Sequence, residues 1–157
     1  MEPSELMDHG RDLDLEVIGL AAANVCILLT GTSNAAMELA RRIHGLGRGR
    51  PGRFRAVNCG WPESLLDEQL FHVLRPGSSG TLFLEEVGRL SPELQDRLLE
   101  TLDGMGDPGG PLAPRARVMA CSSEPLYQRA LEGRFNERLL YRLNTIHLVV
   151  PPDHRDC

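Results

Sequence analysis

Val25-Cys26-Ile27-Leu28-Leu29-Thr30-Gly31-Thr32-Ser33-Asn34-Ala35-Ala36-Met37-Glu38 decides the fold. Its first six residues are a short, continuous apolar run with β-branched members, the pattern of a strand covered on both faces. Gly31-Thr32-Ser33-Asn34 reads as a turn. From Ala35 to Leu46 helical propensity is strong, and Leu39, Ile43 and Leu46 recur at core-facing spacing. At such a corner an α/β protein binds anions, because the first N–H groups of the helix and its dipole face the turn. The phosphate-loop pattern is G-x-x-x-x-G-K-[ST]. Here Gly31 holds the first position, but Ala36 replaces the second glycine, Met37 the lysine and Glu38 the hydroxyl residue. Taken alone, the stretch is an ordinary strand–turn–helix corner.

The alternation continues on both sides. Upstream, Ser4 to Ala23 reads as an amphipathic helix with Leu6, Leu13, Val17 and Leu20 on one side, and Asn24 breaks it. Downstream, Gly45 to Arg55 is a loop rich in glycine and arginine. Phe54 to Cys59 reads as a second strand, and Pro62 to Leu74 as a helix with proline in its first turn. Arg75 to Gly80 is a loop before the apolar strand Thr81 to Leu84. Ser91-Pro92-Glu93 starts a helix to about Leu102, with Ser91 as cap and acids at the dipole's positive end. Gly104 to Pro114 is a glycine- and proline-rich loop. Arg117 to Cys121 is a fourth strand, Glu124 to Tyr141 is helical with a break near Gly133, and Thr145 to Val150 is a fifth strand that Pro151-Pro152 stops. Such alternation predicts a parallel sheet with helices on both faces and ligands beyond the carboxyl ends of its strands.

At 157 residues, the chain has the length of one domain with at most a short appendage. Hydrophobic residues at 41% and charged residues at 25% suit a globular chain rather than a disordered one. No apolar run approaches the ~18 residues of a membrane helix, and the polar N-terminus is not expected to be a signal peptide. A net charge of −5 argues against nucleic acid as the main partner. All 17 basic residues are arginine. Without lysine there is no Schiff base, no lysine general base and no phosphate-gripping ammonium.

Cys26, Cys59, Cys121 and Cys157 lack the close pairing of zinc ligands, and three lie in strand-like segments as small buried hydrophobes. No metal site is expected, and a reducing cytoplasm is the expected compartment. His9, His44, His72, His147 and His154 do not cluster in sequence. Arg48, Arg50, Arg53 and Arg55 form a basic loop, either solvated or suited to bidentate pairing with an acidic protein partner.

Thr81-Leu82-Phe83-Leu84-Glu85-Glu86, an apolar strand ending in two carboxylates, fits the Walker B pattern, in which one acid holds Mg²⁺ and the next polarises the attacking water. Adjacent acids after a strand also arise by chance. More specific is the ordered series Leu28-Leu29-Thr30-Gly31, Ala56-Val57-Asn58-Cys59, Pro62-Glu63-Ser64-Leu65-Leu66, Leu70-Phe71 and Gly80 to Leu84. It continues through Glu86-Val87-Gly88, Leu94-Gln95, Leu98-Leu99, Glu132-Gly133-Arg134-Phe135 and Leu140-Tyr141-Arg142-Leu143-Asn144. Over almost its whole length the chain thereby resembles the AAA+ domain of bacterial sigma-54-dependent transcription activators. The resemblance implies an α/β P-loop NTPase core, a parallel five-stranded sheet flanked by helices.

The departures from that family carry the functional reading. Where it has G-E-S-G-T-G-K-E, this chain keeps Gly31, Ser33 and Glu38 and carries Thr32, Asn34, Ala35, Ala36 and Met37. Methionine brings no charge against phosphate. Asn34 tolerates positive φ and Ala36 does not, so the segment Gly31 to Glu38 is a degenerate Walker A in this reading. Glu85 stands for the family's aspartate, with a stem too long for the Mg²⁺ position. Glu86 matches its catalytic glutamate and Asn58 the asparagine that switches it. Ser123 replaces a sensor asparagine and Asn136 the first of two arginine fingers, while Arg142 fits the second. Glu85, Glu86, Asn58 and Arg142 are read as vestigial, so no catalytic residue is expected. The family also inserts a GAFTGA loop after Leu70-Phe71, where here His72 to Ser79 runs straight into the next strand. Neither a helical lid after Pro151-Pro152, nor a DNA-binding helix-turn-helix, nor a receiver domain before Met1 is expected.

Residues 1–24 are thus expected to form an N-terminal helix, 25–152 the sigma-54-interaction-like AAA+ domain without a lid, and 153–157 a tail. The expected function is that of a stand-alone pseudo-ATPase, a non-hydrolysing regulatory protein in bacterial transcription control. It would carry no cofactor or metal and dock on a protein such as a related AAA+ activator, without binding DNA, membrane or, through GAFTGA, sigma-54. The alternative is a nucleotide-binding protein with weak or no ATPase activity, in which Arg41, Arg42 or a partner's arginine replaces the lysine at Mg·ATP. A decaying remnant without a role is the third reading.

Overall fold

The apolar runs form strands. In the computed structural model, which describes residues 26–46, 52–75, 77–104 and 116–150, β1 (Ile27–Thr30), β2 (Phe54–Asn58), β3 (Thr81–Glu85), β4 (Arg117–Ser122) and β5 (Ile146–Val149) form one sheet. Its order is β2-β3-β4-β1-β5 and every neighbouring pair is parallel. Helices α1 (Ser33–Leu46), α2 (Glu63–Val73), α3 (Pro92–Gly104), α4 (Leu126–Leu131) and α5 (Glu137–Leu143) alternate with the strands. The expected helix over Ser4–Ala23, most of the loop over Gly104–Pro114 and the tail 153–157 lie outside the described residues. Among the described residues no helix is long and apolar enough to cross a membrane.

The pleat of the strands divides the core in two. On one face Leu28, Val57, Leu82, Leu84, Val118 and Ala120 meet residues of α2, α3 and α5, among them Leu66, Leu70, Leu98, Leu139 and Leu143. On the other, Ile27, Leu29, Phe83, Met119 and Cys121 pack on α1 through Ala35, Ala36, Ala40 and Ile43. Alternation along β3 (Leu82 and Leu84 one way, Phe83 the other) follows from the two-residue period. Full burial of each large side chain contributes about 1.5–3 kcal/mol. Three alanines on α1 let it lie close to the sheet. At Gly80 only glycine fits, since a Cβ there would stand 2.3 Å from the Arg53 carbonyl oxygen.

Several boundaries differ from the sequence reading by one or two residues. α1 starts at Ser33, two residues before Ala35. Pro62 precedes α2 as its N-cap instead of sitting in the first turn. β1 begins at Ile27, leaving Cys26 outside it, while Val25 lies outside the described residues. The break expected near Gly133 within Glu124 to Tyr141 is present, between α4 and α5. Gly133, with φ of 74°, turns the chain after α4, and Asn136 caps α5 by accepting from the Leu139 N–H at 3.1 Å. Ser91 caps α3 as its sequence predicts, accepting from the Leu94 N–H at 3.3 Å.

Candidate functional site

Strand β1 leads to the far edge strand β2 and the chain returns through β3 and β4 to β1's side, so the carboxyl ends of β1, β4 and β3 meet at a topological switch point. Gly31 follows β1 there, its N–H donating to the Ser122 carbonyl at 3.2 Å. A Cβ at Gly31 would lie 3.1 Å from Val150 Cβ. Thr32 then caps α1. Its hydroxyl oxygen accepts from the Ala35 N–H at 3.4 Å, and its carbonyl accepts from the Ala36 N–H at 3.0 Å. Ser33, Asn34, Ala35 and Ala36 are therefore the first turn of a helix. Thr32, Asn34 and Glu38 face solvent, Ala36 is fully buried, and Met37 is half-buried and packs on the core beside Ala36 and Ala40.

Across the switch point stands Glu86, held at φ 52° and ψ 60°, the only described non-glycine residue with positive φ. Its carboxylate gathers three segments. One oxygen accepts from Ser33 Oγ at 3.1 Å and from the Ser123 N–H at 3.2 Å. The other accepts from Ser123 Oγ at 3.0 Å. Cys121 Sγ lies 4.0 Å from Ser33 Oγ. Burial pushes the Cys121 thiol up in pKa, against partial relief from its hydrogen bonds with Glu86 and Ser33. Cys59 is pushed up further, by burial first and then by Cys121, Glu85 and Glu86. Both thiols stay protonated near neutrality and supply no nucleophile.

The other sequence-predicted residues lie outside this cluster. Glu85 ends β3 opposite Asn58 of β2, and its carbonyl accepts from the Cys59 N–H at 2.9 Å. The Asn58 side chain closes its own turn, accepting from the Gly60 N–H at 2.8 Å. Arg142 of α5 reaches the end of α3, donating to the Leu102 carbonyl at 2.5 Å and standing 3.7 Å from the Asp103 carboxylate. Asn136 also donates to Asp96 at 2.9 Å. Sequence reasoning missed Cys121 as a neighbour of Ser33, and the pairing of Thr30 Oγ1 with His147 Nε2 at 2.5 Å. That pairing would have needed the β1–β5 register, which no local pattern carries.

The sigma-54 interaction domain family model matches residues 72–149. The regulatory protein AtoC of Escherichia coli (strain K12) is 35% identical over 90% of this chain, which spans 35% of AtoC. A crystal structure of NtrX from Brucella abortus in complex with ATP superposes with a TM-score of 0.75 at 26% identity, over 90% of this chain and 36% of that one. The P-loop NTPase domain of the sigma-54 transport activator from E. coli shares the fold, with a TM-score of 0.68 at 20% identity over 97% of this chain and 99% of that one. The chain spans about a third or less of the curated relatives it matches first. With its α/β sheet and these relatives, the chain belongs to the sigma-54 interaction domain family, the AAA+ P-loop module of sigma-54-dependent activators.

Proposed function

We propose that this domain is a non-hydrolysing regulatory module of transcription control, a pseudo-ATPase that acts by protein contact. The observation that carries the reading is the start of α1 at Ser33, with the Ala35 and Ala36 N–H groups already satisfied by Thr32. A phosphate loop keeps such N–H groups open towards the anion. Met37 packs on the core with no charge to offer, and Glu86 directs a carboxylate at Ser33 instead of a cation. NtrX has been crystallised with ATP; the same corner in this chain offers an anion little. Only residues 74–80 join α2 to β3, which leaves no room for a GAFTGA-type loop at that place. The proposed partner is a related AAA+ activator, met through the Arg134–Asn144 region, rather than DNA, membrane or sigma-54 directly.

Calorimetric titration of the pure chain with Mg·ATP and Mg·ADP tests this. No binding heat is expected for the natural chain or for Met37→Lys, because the lysine would still project from a helix that begins at Ser33. Asn34→Gly/Ala36→Gly/Met37→Lys, which frees the first turn to unwind, is expected to gain binding. Saturable micromolar binding by the natural chain would overturn the proposal in favour of a nucleotide-dependent regulator. One observation favours that second reading: Glu86 keeps a strained backbone, a feature that concentrates at functional sites.

A further inference from the structure

β2 is an edge of the sheet; among the described residues it pairs with β3 alone. Its end bonds fix which groups point outward. The Thr81 N–H donates to the Arg53 carbonyl at 2.9 Å and the Cys59 N–H to the Glu85 carbonyl at 2.9 Å. Residues 53, 55, 57 and 59 therefore turn their backbone groups towards β3, and Phe54 and Ala56 turn theirs outward, where an added strand would pair.

Guanidinium groups stand on both faces of this edge. On one, Arg41 of α1 lies over the Phe54 ring, 4.6 Å from its centroid. On the other, Arg55 is exposed and donates to Gln69 of α2 at 3.4 Å. Arg53, two residues before Arg55 and equally exposed, shares its side of the strand. None of the ion pairs among the described residues uses Arg41, Arg53 or Arg55. This edge is basic on a chain whose net charge is −5.

We propose that the outer edge of β2 takes an extended acidic segment of a partner protein as a sixth strand, its carboxylates held by Arg41 on one face and by Arg53 and Arg55 on the other. Side chains of an added strand alternate between faces, so successive acids reach both sets. The guanidinium fork matches a carboxylate in two bonds at once. The same arginines oppose pairing of two β2 edges, since like charges would stand opposite each other, which selects an acidic strand over a second copy. A nucleic acid offers no peptide backbone to Phe54 and Ala56, finds the Phe54 face covered by Arg41, and meets a net negative chain. The nucleotide question is separate, because β2 is three positions from β1 in the sheet.

Fluorescence anisotropy of the full chain with a labelled oligo-glutamate of roughly eight residues, longer than a typical strand, tests the proposal. Saturable binding that weakens with salt is expected. Arg53→Glu/Arg55→Glu, and separately Arg41→Glu, should weaken it by about tenfold or more, as like charges come to face each other. Arg97→Glu on α3 should leave it unchanged. Ala56→Pro removes an outward N–H and no ladder bond, so it should cut binding while the thermal melt persists. Oligo-glutamate N-methylated throughout should fail to bind. Equal binding by the N-methylated peptide, equal binding by folded charge variants, or no binding at all would each overturn strand addition. Competition by oligo-deoxythymidylate at equal strength would reassign the edge to a general polyanion patch.

Discussion

Glu86 sits in a conformation that costs an L side chain about 1–2 kcal/mol, and three hydrogen bonds at 3.0–3.2 Å to Ser33 and Ser123 hold it there. The two terms separate by substitution. Glu86→Ala loses the bonds and keeps the strain; Glu86→Gly loses the bonds and releases the strain. Glu86→Gly is therefore expected to be more stable than Glu86→Ala by about 1 kcal/mol in urea unfolding. Equal stabilities would mean that the αL geometry relaxes once the carboxylate is gone. The acid itself was legible from the sequence as the second carboxylate after an apolar strand. Its partners were not, because they lie 53 and 37 positions away and meet it only through the parallel register of β1, β3 and β4.

Among the elements, those buried on both sides were the most legible, since β1, β3 and β4 carry short apolar runs, Val118 to Cys121 in β4, without the periodicity of an amphipathic helix. The start of α1 was less so: Gly31-Thr32-Ser33-Asn34 has turn chemistry, yet Thr32 uses it to cap a helix. Arg142 likewise matched a family motif, while its bonds tie α5 to the carboxyl end of α3, where a cation meets unsatisfied carbonyls and the negative end of the dipole. Removing it should loosen that junction. Arg142→Ala is expected to lower stability by about 0.5–1 kcal/mol, partly exposed as the pair is. Asn136→Ala, which strips the cap of α5, should cost about 1 kcal/mol. Both read out as lower midpoints in thermal or urea melts. An unchanged midpoint in Arg142→Ala would free that arginine for a role outside its own fold.

At the scale of the whole molecule, the three described thiols share one consequence of burial. Cys26, Cys59 and Cys121 are all raised in pKa above the ordinary value of 9.0, each chiefly by desolvation. The folded chain therefore keeps these protons at a pH where the unfolded chain has begun to release them. Below that ordinary value both states hold the protons and the thiols leave stability independent of pH. Above it the unfolded state gains thiolates that the folded state cannot form, and stability falls as pH rises. The urea midpoint is thus expected to hold from neutrality towards pH 9.0 and to drop above it, and to drop less in Cys59→Ala/Cys121→Ala. That double variant should start from a lower midpoint at neutral pH, since each thiol also fills core volume. The slope with pH, rather than the starting value, carries the inference. Cys59 and Cys121 should also resist a thiol reagent until the sheet opens, so that their modification proceeds at the rate of unfolding. Rapid labelling of the native chain at either cysteine would show that the carboxyl ends of β2 and β4 open without the rest of the fold.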